Sequence, residues 1–157
     1  MSPGRRIKRM RKGGFDLRLP ESERQLVASL VGQLRGVLTA DDVAADPGTR
    51  RLFPSAYADD PGRDEEYRAM VHDDLLTARL SALDVVEETV GASTLDEAQL
   101  LAWMGAVNDL RLVLGTRLDV SEESAHDPDP DDPDAPALAV YQYLSFLLET
   151  IVDALSG

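Results

Sequence analysis

No cysteine occurs among the 157 residues. That absence removes a disulfide framework, a thiolate nucleophile and any Cys-ligated zinc or iron–sulfur site, and it fits a reducing compartment. Histidine is nearly as scarce. His72 and His126 are too few for most histidine metal sites, and no second histidine stands three or four residues from either. No apolar run in the sequence approaches the ~20 residues that a membrane span needs. The basic start, Arg5 to Lys12, is followed by Phe15-Asp16-Leu17-Arg18-Leu19-Pro20 rather than the apolar core of a signal peptide. The expected location is therefore the cytoplasm.

Catalytic and cofactor signatures are missing as well. There is no glycine-rich phosphate loop, nucleophile elbow or kinase motif, and Gly13-Gly14 lacks the strand–loop–helix setting of a nucleotide site. Serines occur without a matching histidine, so a Ser/His/Asp arrangement has no support. Asp127-Pro128-Asp129-Pro130-Asp131-Asp132 has acids at the first, third and fifth positions of a calcium loop. It then offers Asp132 and Leu138 where glycine and glutamate are required, which reads as a solvated acidic linker. Asp59-Asp60, Glu65-Glu66, Asp73-Asp74 and Glu87-Glu88 are adjacent pairs. On a helix neighbours point about 100° apart, so such pairs do not by themselves make a two-carboxylate site. The expectation is a protein with no enzyme activity, no cofactor and no metal.

What remains is an ordinary globular balance, 43% hydrophobic and 29% charged, with an uneven charge distribution. The net charge is −13, yet Arg5, Arg6, Lys8, Arg9, Arg11, Lys12 and Arg18 crowd the first eighteen residues against Asp16 alone. An acidic body repels nucleic acid, whereas a short basic arm can meet phosphates or an acidic protein.

The pattern predicts a mainly α chain: a bundle of about five helices with an N-terminal β-hairpin. Strand-like alternation at Ile7–Met10 and Phe15–Leu19 flanks Lys12-Gly13-Gly14, whose glycines accept positive φ at a tight turn. Phe15, Leu17 and Leu19 share one face, which needs a body to rest on because an isolated hairpin is marginal in water. Helical spacing follows over Leu26 to Leu38, then a short element at Arg50 to Phe53 and a long pattern from Arg63 to Val90. Thr94 with Asp96 and Glu97 opens the next helix, which runs to Leu118 and is apolar around most of its circumference. That marks it as central. Residues 121–134 read as a mobile acidic loop, and Pro136 suits the first turn of a final helix. The expected organisation is one domain, 1–157, divided into a basic hairpin arm (1–20), a helical core (21–120), the acidic loop (121–134) and a C-terminal helix (135–157).

Two surfaces stand out. Arg5, Arg6, Lys8, Arg9 and Phe15 on the hairpin form a candidate partner-binding surface. In the central helix, Asn108-Asp109-Leu110-Arg111-Leu112-Val113-Leu114-Gly115-Thr116-Arg117 interrupts an apolar pattern with polar groups that must be paired wherever they are buried. The structural reading has Arg111 or Arg117 pairing with Asp73 or Asp74 of another helix. The functional reading has Asn108, Arg111 and Arg117, with Asp73 and Asp74, lining a small-molecule or anion site. Gly115 suits a close helix crossing. Tyr141, Tyr143, Phe146 and Leu147 on more than one face of the last helix suggest self-association as a homodimer.

With these residues in view, the chain resembles an actinobacterial family of domains of unknown function that includes the AosR-type oxidative-stress regulators. The resemblance rests on Leu30-Val31-Gly32-Gln33-Leu34, Leu52-Phe53-Pro54-Ser55-Ala56-Tyr57, Asp73-Asp74-Leu75, the Asn108–Arg117 block and Ala135-Pro136-Ala137-Leu138-Ala139-Val140-Tyr141. It implies a regulator working through contact with a transcription component such as a stress sigma factor. Redox-sensing members use a cysteine pair near the N-terminus. Here Met1 to Phe15 contains none, so a disulfide switch is chemically impossible within this sequence, and Met10, Met70 and Met104 give no specific sensor signal. The resulting expectation is a non-enzymatic regulatory or adaptor protein that binds another protein.

Overall fold

The computed structural model describes residues 6–39, 65–118 and 135–157, with backbone alone at 65–72 and 117. Two three-residue strands come first, β1 (Ile7–Arg9) and β2 (Phe15–Leu17), followed by helix α1 (Glu21–Leu38). After helix α2 (Glu65–Thr89) comes a two-residue strand, β3 (Thr94–Leu95), then helices α3 (Glu97–Arg117) and α4 (Ala135–Ser156). The described residues thus hold four helices, and the short element expected at Arg50–Phe53 lies outside them, as does the acidic stretch 121–134.

The hairpin forms as the turn chemistry predicts. Ile7 pairs with Leu17 and Arg9 with Phe15, while Gly13 and Gly14 take φ of 96° and 80° at the turn. The Met10 and Gly14 backbones close it, N–H to carbonyl, at 2.9 Å. A third strand, absent from the sequence reading, extends the sheet: β3 pairs antiparallel with β2, Phe15 opposite Leu95, in the order β1-β2-β3. Two residues are too few to show a period of two, which is why Ser93–Asp96 reads as a helix start alone. Thr94 belongs to β3, and the N-cap of α3 is Asp96. Its carboxylate accepts from the Gln99 backbone at 2.7 Å while the Gln99 side chain accepts from the Asp96 backbone, a reciprocal capping box.

Ile7, Phe15, Leu17, Leu19 and Leu95 point to one side of the sheet and join the same core as Val27, Val31, Leu34, Leu83, Val86, Trp103 and Leu147. The hairpin is thereby fixed to the helices, since each buried Leu, Ile or Phe is worth roughly 1.5–3 kcal/mol. Helix α3 packs extensively on α2 and α4 and also touches α1, so it occupies the centre, as its all-round apolar pattern requires. Its Trp103 is fully buried and donates to the Thr89 hydroxyl at 2.7 Å. Two apolar helix residues, Leu101 of α3 and Val152 of α4, are 45% and 43% exposed.

Helix α4 corrects one expectation. By length and composition it is apolar enough to cross a membrane, because Glu149 and Asp153 are its only charged residues. Leu144, Leu147 and Ile151 are buried against the body, while Gln142, Ser145, Glu149 and Asp153 gather on the opposite side. That is the division of an amphipathic, core-facing helix.

Candidate functional site

Arginines carry most of the polar architecture, and their destinations decide which surfaces stay available. The Arg24 guanidinium, near the start of α1, donates to the backbone carbonyls of Leu17, Leu19, Val90 and Ala92. It thus binds the sheet to the end of α2. Arg35 reaches from α1 to Asp84 and Glu87 of α2, at 2.6 and 3.1 Å. Both contacts lie near the surface, where such pairs contribute little, about 0–1 kcal/mol.

Of the candidate partner-binding set, Arg5 lies outside the described residues. Phe15 is only 2% exposed and forms part of the core, so it cannot be a contact residue. Its aromatic face is covered by Arg9 at 5.0 Å. Arg9 also donates to the carbonyls of Ala154 and Leu155 at 3.1 and 2.9 Å, capping the last turn of α4. Arg6 pairs with Glu23 at 2.9 Å and lies 5.9 Å from the centre of the Phe146 ring. Beside this pair the Tyr143 hydroxyl is buried and outside hydrogen-bonding geometry. Burial, followed by the Glu23 carboxylate, pushes its ionisation well above the ordinary tyrosine range.

Lys8 is exposed, and so are Arg11 and Lys12 at the turn. None of these three forms an ion pair among the described residues. The outward basic surface is therefore Lys8-Arg11-Lys12, displaced to the turn from the set that sequence reasoning chose. Alternation did signal this displacement: Ile7 and Phe15 inward puts Lys8 outward.

The central-helix block divides differently from either reading. Asp73 and Asp74 are exposed on α2, and the Arg117 side chain is outside the described residues. The buried acid is Asp109, whose side chain is 2% exposed and accepts from Arg79 of α2 at 2.8 Å. The expected pairing of Arg111 or Arg117 with Asp73 or Asp74 is thus not the one that links the helices: the acid is on α3 and the base on α2. Desolvation raises the Asp109 carboxyl from 3.8 to about 6, opposed by the Arg79 charge and hydrogen bond. Asp109 went unselected because a single acid among apolar residues does not reveal its helical face until the neighbours are placed.

Arg111 contacts neither Asp73 nor Asp74. Its guanidinium lies over the Tyr141 ring of α4, 5.8 Å from the centroid. Tyr141 in turn sits on Gly115, where an added Cβ would be 2.9 Å from the ring. The glycine therefore permits the close α3–α4 approach that its position suggested. Asn108 is partly buried one turn before Arg111.

An apolar cleft with a cavity volume of about 60 Å³ lies between α1, α3 and α4, lined by Leu30, Gln33, Leu34, Val37, Leu110, Val113, Leu114 and Leu144. Only the Gln33 side chain is polar there, which supplies no reacting constellation. Among the described residues no cluster of three or more His, Cys, Asp or Glu could hold a metal ion.

Relatives give the chain its family. It is 32% identical over 129 residues to proteins named oxidative stress regulator AosR from Mycobacterium bovis and Mycobacterium tuberculosis, a match covering 71% of this chain and 59% of theirs. A putative oxidative stress regulator AosR of Mycobacterium leprae is 32% identical over 127 residues, covering 70% and 58%. The match thus spans about three fifths of the length of these curated relatives. No solved structure matches the chain. Residues 4–155 match the model of a family described as a domain of unknown function, DUF2017, and the chain belongs to that family.

Proposed function

We propose that this protein is a non-enzymatic regulator that acts by binding another protein, with the outward cations of the hairpin as a contact surface. One observation carries the reading. In a chain of net charge −13, Lys8 on β1 and Arg11 and Lys12 at the turn are exposed and form no ion pair among the described residues. Meanwhile Arg6 and Arg9 of the same arm are taken up by Glu23 and the end of α4. Strand register, the two positive-φ glycines and the buried Phe15 hold the turn in one place, so its charges are presented without a large ordering cost.

Similarity to proteins named oxidative stress regulators supports regulation as the purpose of that contact. A transcription component such as a stress sigma factor is the partner class that the family resemblance favours. With no cysteine in the sequence, any response to oxidants would have to reach this protein through its partner or by other chemistry. The cytoplasm is the compartment in which such a partner is met. The negative body disfavours DNA, whose phosphates it repels.

The test is affinity capture from the native host followed by mass spectrometry, comparing the unaltered protein with K8E/R11E/K12E. The proposal expects one dominant partner, lost in the triple variant and weakened by salt, while the thermal melting of the two proteins agrees. Equal capture by both proteins, or capture of nothing by either, would refute it.

A further inference from the structure

Arg111 is the exception among the partly buried arginines whose side chains are described. Arg6, Arg24, Arg35 and Arg79 each donate to a carboxylate or carbonyl oxygen. Among the described residues Arg111 forms no hydrogen bond or ion pair, and its Nε, like that of Arg79, is buried without an acceptor. Acids outnumber bases 29 to 16 in this chain, so a carboxylate partner was readily at hand. The two Nη atoms of Arg111 likewise have no oxygen acceptor among the described residues, and they are the donors open to a ligand.

We propose that Arg111 anchors an oxyanion-binding site on the α3–α4 seam, taking a carboxylate or a phosphate group. The Arg111 guanidinium lies within cation–π range of the Tyr141 ring, 5.8 Å from its centre, and the absence of a Cβ at Gly115 leaves room for that ring. Because Nε is inaccessible, the oxyanion meets the guanidinium end-on, through the two Nη atoms, whose paired N–H groups match two oxygens of one anion. The aromatic face keeps water from one side of the cation and strengthens its attraction for an anion. Asn108, partly buried one turn earlier on α3, is assigned to the same site as a second donor. Asp73 and Asp74, which would repel an anion, are not paired to Arg111. The site is separate from the hairpin turn and stands or falls independently of the partner proposed above.

The experiment follows the Arg111 Nε–Hε cross-peak by NMR in the full chain. Sodium phosphate and sodium acetate are titrated separately, at constant ionic strength against sodium chloride. A saturable shift with phosphate alone assigns a phosphate site, with acetate alone a carboxylate site, and with both a general oxyanion site; each supports the proposal. Arg111→Lys should weaken the apparent affinity at least tenfold, and Asn108→Ala should weaken it less. The same linear drift with all three salts would overturn the proposal. So would a resonance already shifted without added anion and released by neutralising Asp127, Asp129, Asp131 and Asp132, because the acceptor would then be internal.

Discussion

Arg9 in the first strand caps the last helix of the chain: its Nη2 donates to the carbonyls of Ala154 and Leu155, at 3.1 and 2.9 Å. The cation thus meets the negative end of the α4 dipole and satisfies two carbonyls that have no intrahelical donor. The hairpin is therefore a structural component of the bundle as well as a presented arm.

Replacing Arg9 by alanine should lower stability by about 1 kcal/mol, the usual range for an exposed charge-assisted cap. Urea unfolding would measure it, and Arg9→Lys should recover part of the loss. Amide exchange should rise over residues 152–156 more than in α1. A uniform rise across the chain would mean that the contact is not local.

The Asp109–Arg79 pair predicts an unusual pH dependence. The folded-state pKa of Asp109, about 6, lies above its ordinary value of 3.8, so the folded protein holds this proton to higher pH than the unfolded chain does. Its contribution is most favourable below about pH 4 and is lost as pH rises to about 6, a difference on the order of 3 kcal/mol. Asp109→Asn should remove that slope and leave stability at pH 7 equal or improved. Arg79→Met leaves the buried carboxylate without this cation and should cost ~3–5 kcal/mol at pH 7, less at pH 5. Urea titrations of the three proteins across pH 4–8 check the pattern.

Gly115 and Tyr141 should be coupled. A Cβ at position 115 would stand 2.9 Å from the Tyr141 ring, so Gly115→Ala alone should lose ~1–3 kcal/mol through crowding. In a Tyr141→Ala background the ring is gone, and the same change should gain up to ~1 kcal/mol from helix propensity. A double-mutant cycle that gives zero coupling contradicts the close crossing.

Trp103 is the only tryptophan and is fully buried, so its emission should be blue-shifted and should report unfolding of the core directly. Trp103→Phe removes the donor to Thr89 and some core volume, a loss of roughly 2–4 kcal/mol measurable by urea unfolding followed by circular dichroism.

The amphipathic α1, the turn at Gly13-Gly14 and the central place of α3 were legible from periodicity and turn chemistry, which are local properties. Gly115 was legible as a site for a close crossing, whereas Gly32, Gly36 and Gly105, also inside helices, have no neighbour within 4 Å of an added Cβ. What escaped depended on contacts between segments far apart in the chain. β3 exists because β2 offers it an edge, and Arg24 matters because two loops converge on it. Asp109 is buried because α2 supplies Arg79. The same limit explains the hairpin, whose basic composition was plain while the inward turn of Arg6 and Arg9 required Glu23 and the end of α4. Leu101 and Val152 follow the apolar period of their helices, and only the placement of neighbouring helices leaves them exposed.

The most direct measurement is photocrosslinking in the native host from a photoreactive amino acid placed at Lys12, with a second at Gly32 on the exposed side of α1. Partner binding through the turn predicts a protein adduct of one discrete mass from position 12 and none from position 32. No adduct from either position, or the same adduct from both, would contradict it.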